Sequence, residues 1–64
     1  MLIVNSQKLI IAIANSGYTA VELSKVCGVS QVTIARFKAG TQKARPQTLG
    51  KIARALNVKV EDLI

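Results

Sequence analysis

Between Thr19 and Phe37 the chain spells out two short helices and the turn that joins them. Glu22 follows Thr19 by three residues, the Thr-x-x-Glu pattern in which each side chain serves the other's backbone amide at a helix start. Leu23 and Cys27 then recur at helical spacing, and Gly28 stops the run. Ser30 caps a second start, after which Ile34 and Phe37 supply another apolar face. Two helices broken at a glycine, both apolar inside, must fold against each other to hide those faces. Val29 in the turn adds to the same apolar set.

The rest of the chain has to build a core around this pair with little help. It has 64 residues, one cysteine and no histidine. No internal disulfide can form, and no zinc site can be built from Cys27 alone. A chain this short must rely on efficient helix packing. Half of its residues are apolar, and Tyr18 and Phe37 are its only aromatics. The expectation is therefore one domain over residues 1–64, all-α, with four to five helices and neither metal nor cofactor. Cys27, one position before the turn glycine, is read as buried filler rather than a redox thiol.

Local signals place the other elements. Asn5 or Ser6 caps a first helix to about Asn15, with Leu9, Ala12 and Ile13 as its inward stripe and Ser16-Gly17 as its end. The third helix runs from Gln31 to Ala39 and closes at Gly40. Thr41 to Arg45 reads as a polar, basic loop. Pro46 suits the first turn of a fourth helix, where its missing amide hydrogen costs nothing. Leu49, Ile52, Ala53 and Leu56 face inward from that helix, and Asn57 ends it. Val60 to Ile64 make one closing turn with Leu63 folded back on the core. Lys59 is a poor cap for it.

Charge narrows the class of partner. Nine Lys and Arg face three acids, a net charge of +6, and no acid stands between Glu22 and Glu61. A field this lopsided points to a polyanion or an anionic surface. The apolar run Leu9 to Ala14 is too short to cross a bilayer, and the apolar residues before it do not make the basic front of a leader peptide. A lone unpaired cysteine fits a reducing cytosol, so the expected location is cytoplasmic. With no His, and no paired carboxylates beyond Glu61-Asp62, an enzyme has almost no support.

With Ile34 and Phe37 facing in, Gln31, Val32, Thr33 and Arg36 are left on the outer face of the third helix. A helix in the DNA major groove presents its first residues to the base edges. Gln can pair with an adenine edge, Arg with guanine, Thr offers a hydroxyl and a methyl, and Val can pack on a thymine methyl. As plain surface, Gln31, Thr33 and Arg36 are unremarkable; an outward Val32 is not. Phosphates would be held by Thr19 and the start of the second helix, by the basic segment Thr41, Gln42, Lys43 and Arg45, and by Ser30 and Lys38 at the ends of the third helix. Lys51, Arg54 and Lys59 are assigned to the opposite surface.

On Leu23-Ser24, Gly28-Val29-Ser30, Ile34, Phe37, Gly40, Pro46 and the run Lys51 to Val58, the chain resembles the lambda-repressor/Cro-type helix-turn-helix domains, the XRE family of bacterial and phage regulators. The likeness covers about Ser6 to Leu63. It implies a five-helix fold, binding of a double-stranded operator as a homodimer, and no catalysis. It puts base reading on Gln31, Val32, Thr33 and Arg36, a cap phosphate contact near Thr19, and a second backbone contact before Pro46. No small-molecule substrate and no membrane are implied. Three departures stand out. Ala20 replaces the Gln that commonly follows the second helix's cap. Ile13 and Lys38 replace an Arg–Glu pair, both partners having changed together. The segment from Gly40 to Pro46 is slightly long.

The N-terminal Met1-Leu2-Ile3-Val4 and the pair Ile10-Ile11 are more apolar than the pattern needs. Leu2 to Val4 are expected to be extended and to support self-association. With Ala20, they are also the basis for a second reading: the same fold used as a protein-interaction module, such as an antitoxin or antirepressor partner.

Overall fold

A computed structural model describes residues 1–40 and 42–64. In chain order it contains strand β1 (Leu2–Val4), helices α1 (Ser6–Ser16), α2 (Ala20–Cys27) and α3 (Gln31–Ala39), strand β2 (Gln42–Ala44), helix α4 (Pro46–Ala55) and a closing 3₁₀ turn (Val60–Leu63). Thr41 lies outside the described residues.

The helix starts follow from their caps. Asn5 Oδ1 accepts the Lys8 amide at 3.1 Å and opens α1. Thr19 Oγ1 accepts the Glu22 amide at 3.1 Å, while Glu22 Oε1 accepts the Thr19 amide at 2.9 Å, so both halves of the reciprocal cap form. Ser30 Oγ accepts the Thr33 amide at 3.2 Å and opens α3. Pro46 occupies the first turn of α4. Gly28 ends α2 at φ 75°, a left-handed backbone that glycine adopts without a Cβ penalty. Asn57, at φ 58°, turns the chain out of α4, a conformation Asn tolerates better than most residues.

One apolar cluster holds the elements together. Leu9, Ala12 and Ile13 enter it from α1, Leu23 and Cys27 from α2, Val29 from the turn, Ile34 and Phe37 from α3, and Leu49, Ile52, Ala53 and Leu56 from α4 and its end. Leu63 is completely buried, so the closing turn docks as expected. Its start is secured from the far side of the turn, since Asp62 Oδ2 accepts the Lys59 amide at 3.1 Å. Ile13 sits in this core, 8% exposed. Cys27 is 8% exposed, and its Sγ accepts the Val29 amide at 3.4 Å, the role of a small buried residue that also steadies the turn.

The fold is mostly helical, as expected of a compact helix-turn-helix domain, and a small sheet is added to it. The basic segment before Pro46 is not a free loop: Gln42–Ala44 pair antiparallel with Leu2–Val4, in the register Leu2 with Ala44, Ile3 with Lys43 and Val4 with Gln42. Strand alternation sends Leu2 and Val4 to one face and Ile3 to the other. Val4 is 1% exposed and Ala44 2%, so the inner face of the sheet is core. The Asn5 amide donates to the Leu63 carbonyl at 2.7 Å and ties the strand's exit to the closing turn. Leu2–Val4 are extended, as expected, but the pairing they make is within their own chain.

Candidate nucleic-acid interface

Helix α3 is buried on one side and bare on the other. Ile34 and Phe37 point into the core, while Gln31, Val32, Ala35, Arg36 and Ala39 are exposed. Val32 is 63% exposed. Nothing in the described chain covers this face. Its bulk is low because two of its five positions are alanine. A helix with side chains is about 10–12 Å across, close to the roughly 12 Å width of the major groove.

Beside this face lies an open depression of about 330 Å³, lined by Thr33, Arg36 and Phe37 from α3, by Gln42, Lys43 and Ala44 from β2, and by Arg45, Thr48 and Met1. Three cations line it and no acid does. The sheet is what brings them together. Ala44 is anchored inward, so its neighbours Lys43 and Arg45 are left exposed, at the flank of α3 that carries Arg36. A base-reading type of side chain, Arg36, thus shares one concavity with backbone-gripping types, Lys43 and Arg45.

The other expected positions lie outside this depression. Gln31 and Val32 occupy the first turn of α3. Ser30 is the α3 cap and Thr19 the α2 cap, both exposed. Lys38 falls four residues after the buried Ile34, is half-buried, and lies on the flank of α3 away from Thr33 and Arg36. Thr41 lies outside the described residues. Lys51 and Arg54 line a different hollow, between α2 and α4, with Val26, Cys27 and Ala55.

Sequence reasoning did not single out Met1 or Thr48. Thr48 had a usable signal, a polar residue in the first turn of the helix that follows the basic segment. Met1 had none, because its placement depends on the pairing of β1. One titration is shifted: the Thr19 amide bonded to the Glu22 carboxylate, with the Thr19 side chain second, holds the Glu22 pKa below its ordinary value of 4.5. Glu22 is therefore the ion that the start of α2 favours.

A glycine-hinged helix pair with an uncovered second helix and cations at its flank defines a DNA-binding helix-turn-helix domain. The chain matches the model of the helix-turn-helix family over residues 6–63 and belongs to that family, of the XRE or lambda-repressor/Cro-like type. It is a DNA-binding helix-turn-helix regulator. The comparisons with curated proteins and with solved structures return no match. Among the described residues no helix is long and apolar enough to cross a membrane, and no group of three or more His, Cys, Asp or Glu is placed to hold a metal ion.

Proposed function

We propose that the 64 residues act as one sequence-specific, double-stranded DNA-binding unit of a cytoplasmic transcriptional repressor, Cro-like in design. Helix α3 enters the major groove. Gln31, Val32, Thr33 and Arg36 meet base edges. Thr19, Ser30, Lys38, Thr41, Gln42, Lys43 and Arg45 hold phosphates. Two copies bind a pseudo-palindrome, each on one half-site, with the half-sites about one helical turn, ~34 Å, apart.

One observation carries this reading: the bare face of α3 adjoins a concavity with three cations and no acid. Phosphate contacts supply salt-sensitive affinity, and base contacts supply choice. Arg36 stands where the two meet. In a binding-site selection from random duplexes, Arg36→Ala should lose preference at one base position, by roughly 1–3 kcal/mol of discrimination for a bidentate pair. Equal weakening on every sequence would make Arg36 a phosphate contact. Retention on DNA that ignores salt would favour the interaction-module reading. Sedimentation with and without the selected duplex measures the proposed pairing of copies.

A further inference from the structure

Two groups assigned above to different tasks share one hydrogen bond. Ser30 is assigned to a phosphate and Thr33 to a base edge, yet Ser30 Oγ and Thr33 Oγ1 lie 2.8 Å apart and are bonded to each other. Ser30 Oγ also accepts the Thr33 backbone amide at 3.2 Å. Each hydroxyl owns one hydrogen and two lone pairs. The pair holds two hydrogens, and the bond between them uses one. While that bond stands, a single hydrogen is left for any outside acceptor.

The destination of that hydrogen decides what Thr33 can read. A phosphate oxygen is a charged acceptor, and hydrogen bonds to charged groups are roughly twice as strong as neutral ones. When Ser30 donates to phosphate, its oxygen accepts both the Thr33 amide and the Thr33 hydroxyl. Every hydrogen-bonding capacity of Ser30 is then used. Thr33 Oγ1 has given its hydrogen to Ser30 and offers lone pairs alone. In the major groove the donors are the amino groups of adenine and cytosine, whereas guanine O6 and N7 and thymine O4 only accept.

We propose that Ser30 sets the hydrogen-bond polarity of Thr33 and so makes it select an amino-bearing base, adenine or cytosine, at the position it faces. This rests on the reading of α3 as the base-reading helix. Ser30 acts as a positioning residue here, through Thr33 and without touching the base.

The test is binding-site selection from random duplexes with the unmodified chain, Ser30→Ala, Ser30→Asp and Thr33→Val. Ser30→Ala frees the Thr33 hydrogen, so the adenine-or-cytosine preference at one position falls by the worth of a hydrogen bond, roughly two- to tenfold, and guanine or thymine is admitted. Ser30→Asp still caps the helix and still accepts the Thr33 hydrogen. It keeps the base preference while its charge weakens binding to all sequences. Thr33→Val removes the lone pairs and the preference with them, so the proposal stays testable if Ser30→Ala fails to fold. Thermal unfolding identifies which variants are folded. A mere cap would instead make Ser30→Ala weaker on every sequence with base preference intact. That result, or loss of the preference in Ser30→Asp, overturns the proposal and leaves the DNA reading standing. Failure of the unmodified chain to enrich any sequence overturns the DNA reading itself, and this proposal with it.

Discussion

Gly28 sets the angle between α2 and α3, and Gly28→Ala isolates what that costs. An ideal Cβ built at Gly28 meets nothing within 4 Å, so no packing clash contributes. The whole penalty is the backbone at φ 75°. For an L-residue held left-handed that is about 1–2 kcal/mol. In a domain of this size each kcal/mol moves the melting midpoint by about 4–8 °C. Gly50 is the internal control. It lies within α4, and a Cβ there also meets nothing. Gly50→Ala should stabilise by about 0.5–1 kcal/mol, since glycine is costly inside a helix. Thermal and urea denaturation followed by far-ultraviolet circular dichroism reads both. The two alanines should shift the midpoint in opposite directions, and Gly28→Asn should fall between Gly28→Ala and the unmodified chain. If Gly28→Ala were neutral, or moved with Gly50→Ala, a left-handed hinge at this position would be refuted.

Three further outcomes follow from the same structure. Lys43→Ala should leave base preference unchanged but reduce the slope of log affinity against log salt by about 0.9, the release associated with one phosphate contact; an unchanged slope would remove Lys43 from the interface. Leu63→Ala empties a fully buried position and should cost about 2–5 kcal/mol, a large share of the about 5–15 kcal/mol that holds a typical domain, measured as the urea midpoint. Glu22 has a folded pKa below its unfolded one, so its contribution is complete above the ordinary value of 4.5 and is lost as pH falls through the lower folded value; Glu22→Gln should flatten stability against pH in that acid range, and an unaltered acid slope would contradict the reciprocal cap.

The helices were legible because their signals are local. A cap, a glycine or an apolar stripe acts within a few residues, and Asn5, Thr19, Ser30, Gly28 and Pro46 all do in the structure what their types predict. The sheet was not legible. Three-residue strands are too short to display alternation, and Gln42, Lys43 and Ala44 include residue types that strands disfavour. Ile3 and Val4 did carry β-branched side chains, but their partner lies most of the chain away. On α3, Gln31, Val32 and Arg36 were legible as outward by subtraction from Ile34 and Phe37, whereas Thr33 of the same expected set is half-buried. The concavity that joins Arg36 to Lys43 and Arg45 was not, because it exists only once β1 holds β2 in place. Helical phase sets Lys38 on the other flank of α3, so this concavity does not include it.

Strand β1 also makes part of the fold depend on a pairing distant in sequence. Helices α2 and α3 meet through contacts close in sequence, whereas β1 must wait for β2 to be made, and non-local pairings are the slow part of folding. By contact order, the α2–α3 pair is expected to form before the cations beside it acquire their brace. Val4 belongs to the core and Ile3 pairs with Lys43, so a chain stripped of its first four residues is expected to lose stability along with the brace on Lys43 and Arg45.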